Sequence, residues 1–119
     1  MEYRVCRNNP APYNDLNGKI SLLGLGTMRL PLRDAADQTS IDEEKAQEIF
    51  DYAYAHGVNY FDTAYPYHGG MSEKFCGKAL AKYPRASYHL ASKLPGWLLK
   101  CDEDVPRIFN EQLANCRTD

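Results

Sequence analysis

The chain has 119 residues, 44% of them hydrophobic and 25% charged, which is the composition of one globular domain rather than a disordered segment. A net charge of −2 and a pI near 5.9 argue against a nucleic-acid or anionic-membrane partner. No apolar run is long enough to cross a bilayer, and the opening MEYRVCRNN lacks the apolar stretch of a signal peptide, so a cytoplasmic protein is expected.

In chain order, the segment up to about Leu25 reads as short strands around turns, with Pro10, Pro12 and the hairpin dipeptide Asn17-Gly18 marking the reversals. Ile20 to Gly26 reads as a buried strand ending in glycine, and residues 29–39 as a polar loop. Ser40 with Glu43 three positions on matches a capping box, and Asp42, Glu43 and Glu44 suit the positive end of a helix dipole. Ala46, Ile49, Phe50 and Ala53 then mark one face of a helix from Ile41 to His56, with Gly57 as its C-cap. Val58 to Asp62 is a short strand. Ser72 caps a helix over Glu73 to Lys82 that turns Phe75, Cys76, Ala79 and Leu80 inward. Tyr88 to Lys93 is a third strand. From about Asp104 a third helix runs to Cys116, with Val105, Ile108, Phe109, Leu113 and Cys116 as its apolar positions. A leading hairpin followed by β-α-β-α-β-α implies parallel strands joined by right-handed crossovers. Both an open doubly wound sheet and part of a (β/α)8 barrel satisfy that order.

Cys6, Cys76, Cys101 and Cys116 are scattered without a CxxC pair or a histidine at ligand spacing, so free thiols are expected and no metal site. The chemistry gathers elsewhere. In parallel α/β folds reacting groups collect where strands finish. Here Gly26-Thr27-Met28 follows the first parallel strand, Asp62 ends the second, Tyr67 lies in the loop after it and Lys93 ends the third. A phenol with a pKa near 10 is a reluctant proton donor at neutral pH, and a neighbouring ammonium makes it a better one. A carboxylate beside the lysine would hold that ammonium in place. Asp62 and Lys93 together would make Tyr67 a tuned general acid, suited to protonating a carbonyl oxygen as hydride reaches the carbon. Taken singly, each residue has a plainer use. A strand-ending carboxylate often forms a turn, a loop tyrosine packs, and a strand-ending lysine is solvated. The pair Gly24 and Gly26 lacks the full GxGxxG pattern of a dinucleotide fold. His68 and His89 read as surface or structural.

The segments LGLGTMRLP (23–31), GVNYFDTAYPYHGGMSEKFCGKAL (57–80) and LASKLPGW (90–97) resemble the N-terminal part of the aldo/keto reductase family. The spacing fits too: Tyr67 stands 5 positions after Asp62 and Lys93 stands 26 after Tyr67. The resemblance implies a (β/α)8 barrel, NADPH as cofactor and reversible reduction of aldehydes or ketones to alcohols. It implies that Tyr67 is the general acid, tuned by Lys93 and Asp62. Gly26, Thr27 and Met28, with Asp62, would line the nicotinamide end of the cofactor pocket. The leading hairpin would plug the bottom of the barrel, and Glu73 would be a cap-type residue rather than a catalyst.

The departures bear on activity. The family's catalytic histidine ends a fourth strand, and His56, His68 and His89 all lie upstream of that place. The barrel phosphate site follows the seventh and eighth strands. The expectation is therefore one incomplete domain over 1–119: the hairpin plus three β/α units of a TIM-type barrel that takes about 250 residues in full. Such a piece would be inactive alone and prone to self-association through its open edge. A small carbonyl compound is the expected substrate, and Trp97 either lines its pocket or caps the core. A non-catalytic product, relic or interaction subunit, is the alternative. A Schiff base on Lys93 is a third reading of the same residues.

Overall fold

The computed structural model describes residues 2–5 and 19–119. Its elements are β1 (Tyr3–Val5), β2 (Lys19–Ser21), β3 (Leu25–Gly26), α1 (Glu43–Ala55), β4 (Tyr60–Asp62), α2 (Met71–Leu80), β5 (His89–Ala91) and α3 (Asp104–Cys116). β1 and β2 pair antiparallel, with Arg4 opposite Ile20. β3, β4 and β5 form a parallel sheet in that order, with Gly26 opposite Asp62 and Asp62 opposite Ala91. The Asn17-Gly18 turn and the proline turns lie outside the described residues.

The strand expected over Ile20 to Gly26 divides in two. β2 belongs to the hairpin and β3 to the parallel sheet, and Leu22 and Leu23 between them are exposed. Asn59 explains the break. Its side chain accepts from the Ser21 backbone at 2.8 Å and donates to the Lys19 carbonyl at 3.1 Å, while its own N–H reaches the Ser21 hydroxyl. The hairpin is thereby fastened just before β4 begins, at the opposite end of the sheet from Asp62.

α1 starts later than the capping-box reading placed it. Asp42, not Ser40, is the cap, and its carboxylate accepts from the Lys45 N–H. The Ser40 hydroxyl is occupied in its own loop, accepting from the Asp34 N–H and lying within bonding distance of the Asp34 and Asp37 carbonyls. The C-terminal end follows expectation. Gly57 has φ +87°, its N–H bonds to Tyr54, and the Val58 N–H reaches back to Ala53, which is a Schellman closure.

α2 also departs from its expected cap. It begins at Met71 behind Gly70, whose φ of +88° suits glycine, and Ser72 and Glu73 are wholly buried inside its first turn. Phe75, Cys76, Ala79 and Leu80 do face inward. The core they join lies between the sheet and the helices. Phe50 of α1 stacks on Phe61 of β4 at 5.2 Å and meets Phe75 edge-on at 5.4 Å.

α3 runs over its expected span, but its inner face differs. Ile108, Gln112 and Cys116 are buried, whereas Val105 and Phe109 are 42% and 53% exposed. The stripe at four-residue spacing faces α2 because Gly77 of that helix lets the two backbones meet. A Cβ on Gly77 would sit 2.6 Å from the Asn115 carbonyl oxygen and 2.7 Å from the Cys116 carbonyl carbon.

Candidate active site

Asp62, Lys93 and Tyr67 converge at the C-terminal edge of the parallel sheet. The Lys93 ammonium forks onto both Asp62 carboxylate oxygens, at 3.0 and 2.8 Å. Its third hydrogen goes to the Thr63 carbonyl at 2.8 Å, and the nitrogen stands 5.0 Å from the centre of the Tyr67 ring. All three ammonium hydrogens therefore have directed acceptors. Burial opposes the charge on Lys93, but the Asp62 bond and charge, followed by Tyr67, outweigh it and hold the ammonium above the ordinary lysine value. The Lys93 and Asp62 side chains remain 52% and 38% exposed. A half-open pair contributes at most about 1 kcal/mol to stability, so the fork does more to fix geometry than to hold the fold.

The ground beneath this pair is a buried relay of hydroxyls. The Thr27 hydroxyl lies 2.9 Å from the Asp62 carbonyl and 2.9 Å from Ser72 Oγ, which lies 2.9 Å from Thr63 Oγ1. Thr27, Thr63 and Ser72 are fully buried. Three hydrogens and three contacts leave one closed arrangement: Thr63 donates to Ser72, Ser72 to Thr27, and Thr27 to the Asp62 carbonyl. That carbonyl also accepts the Thr27 N–H at 2.9 Å, and the Thr63 N–H bonds to Ala91. The ends of β3, β4 and β5 are thus tied to one another and to α2.

The residues assigned to cofactor contact divide. Gly26 is exposed, and a side chain there would meet nothing within 4 Å, so the surface beside Asp62 is open to a flat ligand. Met28 is also exposed. Thr27 is fully buried, with its hydroxyl in the relay and its N–H on the Asp62 carbonyl, so it backs this surface rather than facing it. Trp97 is 70% exposed in the Gly96–Leu98 turn, which removes the core-cap reading. It lines a cleft of about 410 Å³ with Tyr65, Pro66 and Glu111.

None of the three histidines hydrogen-bonds to the Lys93–Asp62 pair. His56 is exposed at the end of α1, stacked on Tyr52. His89 lies in β5 with its buried Nε2 unpartnered. His68 is buried at φ +54°, where its Nε2 accepts the Leu30 N–H at 3.1 Å and its Nδ1–H donates to the Gln38 carbonyl at 2.9 Å. It fastens the loop after β3 to the loop that carries Tyr67. Glu73, expected as a cap-type residue, makes no capping bond and is instead fully buried with its carboxylate on Ser92, Gln112 and Asn115, and Gln112 escaped the sequence reading altogether. Their signal was a polar residue in register with an apolar stripe: Glu73 falls three before Cys76, and Gln112 falls between Ile108 and Cys116.

Among the described residues, Cys76, Cys101 and Cys116 are free, no group of three or more His, Cys, Asp or Glu side chains could hold a metal ion, and no helix is long and apolar enough to cross a membrane.

The aldo/keto reductase family profile matches residues 22–119. An aldo-keto reductase of Metarhizium robertsii is 49% identical over 55 residues, covering 44% of this chain and 15% of that protein. A Schizosaccharomyces pombe protein whose name proposes an aryl-alcohol dehydrogenase is 40% identical over 96 residues, covering 78% of this chain and 26% of its own length. Among solved structures, the holo form of a Bacillus halodurans aldo-keto reductase superposes with a TM-score of 0.73 at 28% identity, covering 100% of this chain and 37% of that one. The chain thus spans about a quarter or less of these two curated relatives and under two fifths of that solved structure. With the family profile reaching from Leu22 to Asp119 and the whole chain superposing on such a structure, the chain belongs to the aldo/keto reductase family.

Proposed function

We propose that this chain carries the proton-handling part of an aldo/keto reductase active site, one that interconverts aldehydes or ketones with alcohols using NADP(H). The observation that carries the reading is the Lys93 fork on Asp62 beside the Tyr67 ring. Tyr67 donates its phenolic proton to the carbonyl oxygen of the substrate. Lys93, fixed by Asp62 and the Thr63 carbonyl, places positive charge next to the phenol as that proton leaves. The hydroxyl relay holds the Asp62 main chain, the anchor from which its carboxylate reaches Lys93. Gly26, Met28 and Asp62 are the residues that would hold the nicotinamide end of the cofactor, with Thr27 behind them tying the end of β3 to Asp62. When bound, the cofactor supplies the hydride that the carbonyl carbon receives.

On this reading residues 1–119 form one domain: the bottom hairpin and the first three β/α units of a (β/α)8 barrel, in a cytoplasmic protein. β3 and β5 each have one unpaired edge among the described strands. An apolar groove lined by Leu23, Leu25, Ile49 and Tyr52 runs beside β3. The chain alone is expected to associate through these edges and to turn over no substrate.

The test joins this chain to the remaining five units of the Bacillus halodurans relative and follows NADPH oxidation with an aromatic aldehyde. Tyr67→Phe should lower kcat by about 10²-fold or more, with the KM for the aldehyde little changed. A Tyr67→Phe variant as fast as its parent would overturn the proposal.

A further inference from the structure

Glu73 is fully buried in the first turn of α2, and the groups around its carboxylate are neutral donors. Oε1 accepts from the Ser92 hydroxyl at 2.6 Å and from Gln112 Nε2 at 2.7 Å, and Oε2 accepts from Asn115 Nδ2 at 3.1 Å. None of the salt bridges among the described residues includes it. A carboxylate without a counter-cation is expensive to bury, and three directed donors are what make it tolerable. Packing alone would be served better by an apolar residue at this place in the stripe.

The arrangement around Gln112 shows what the charge does. Its amide nitrogen carries two hydrogens. One meets Glu73, and the other meets the Lys93 carbonyl at 3.0 Å, with Ser92 Oγ at 3.2 Å alongside. A carboxylate is an acceptor only, so the reversed amide would set oxygen against oxygen at both Glu73 and Lys93. Glu73 thus dictates that Gln112 presents nitrogen to the Lys93 carbonyl. Through Ser92 it also grips the residue before Lys93.

We propose that Glu73 is a positioning residue for Lys93: acting through Gln112 and Ser92, it fixes the backbone from which the ammonium reaches Asp62 and the Thr63 carbonyl. This rests on the role given to Lys93 above, but its test needs neither cofactor nor turnover. Trace acetylation of the intact chain near pH 8, read by mass spectrometry, gives the reactivity of Lys93 relative to the exposed Lys45 on the same molecules. In the parent chain Lys93 should be the slower of the two. Glu73→Gln, which permits the reversed amide, should speed Lys93 several-fold relative to Lys45. Loss of global structure would speed buried backbone exchange everywhere and is separated by hydrogen exchange in the α1 core.

The exchanged pair Glu73→Gln with Gln112→Glu decides between positioning and mere attachment of α2 to α3. It restores a donor–acceptor pair between the helices but turns an acceptor toward the Lys93 carbonyl. The proposal predicts that thermal stability recovers while Lys93 stays fast. Recovery of both, or an unchanged Lys93 in a folded Glu73→Gln chain, would overturn it. If Glu73→Gln does not fold, Gln112→Leu removes the same donor from Lys93 and is read in the same way: a fast Lys93 supports the proposal and a slow one refutes it. If Lys93 responds but proves dispensable for reduction in the joined barrel, the functional reading fails while the positioning stands.

Discussion

Removing the Ser72 hydroxyl should loosen both the fold and the site. Ser72→Ala deletes two buried contacts of 2.9 Å, one to Thr27 and one to Thr63. The Thr27 hydroxyl keeps its acceptor in the Asp62 carbonyl, but the fully buried Thr63 hydroxyl loses its own. The thiol of Cys76, which lies against the same hydroxyls, is a weak acceptor and replaces little. Two hydrogen bonds at about 1 kcal/mol each, with about 1 kcal/mol more for the stranded donor, give about 3 kcal/mol. Alanine recovers up to about 0.5 kcal/mol of helix propensity, leaving a net loss of about 2–3 kcal/mol. In urea the midpoint should fall by about 1–2 M with the slope unchanged. A loss under about 0.5 kcal/mol would mean that the relay does not hold the strand ends together, and the reasoning would fail.

Two further perturbations probe other contacts. Gly77→Ala drives a methyl against the Asn115 carbonyl oxygen and the Cys116 backbone at 2.6–2.8 Å, so α3 must withdraw; calorimetry should show a loss of about 1–3 kcal/mol despite the gain in helix propensity. Lys82, then Tyr83, hold the Asp51 carboxyl down to about 2. A folded value below the unfolded one means that its contribution is complete above about pH 4 and is lost as the pH falls through about 2. Asp51→Asn should therefore flatten that part of the acid limb in a pH series of denaturation curves, and an unchanged limb would contradict the assignment.

Much of the architecture was written in local chemistry that a sequence displays. Gly57 ended α1 as expected because only a left-handed residue completes that closure, and Asp62, Tyr67 and Lys93 met because successive parallel strands deliver their ends to one edge. Capping was less legible. Ser40 and Ser72 both look like helix caps, yet one hydroxyl closes its own loop and the other is buried in a relay, since tertiary acceptors outcompeted the local ones. Val105 and Phe109 are apolar positions of α3, yet both are exposed. The buried position fell to Gln112 because its partner, Glu73, lies 39 residues away on another helix, and no local pattern joins the two. His68 was legible as a loop residue but not as the clamp that reaches back to Leu30 and Gln38.

The most direct measurement is a double-mutant cycle between Asp62 and Lys93, read as kcat in the joined barrel with Asp62→Asn, Lys93→Met and both together. If the carboxylate acts by holding the ammonium beside Tyr67, the double variant will be about as slow as the slower single one. Two losses that multiply would show that the residues act independently, and the account of a single shared device would be wrong.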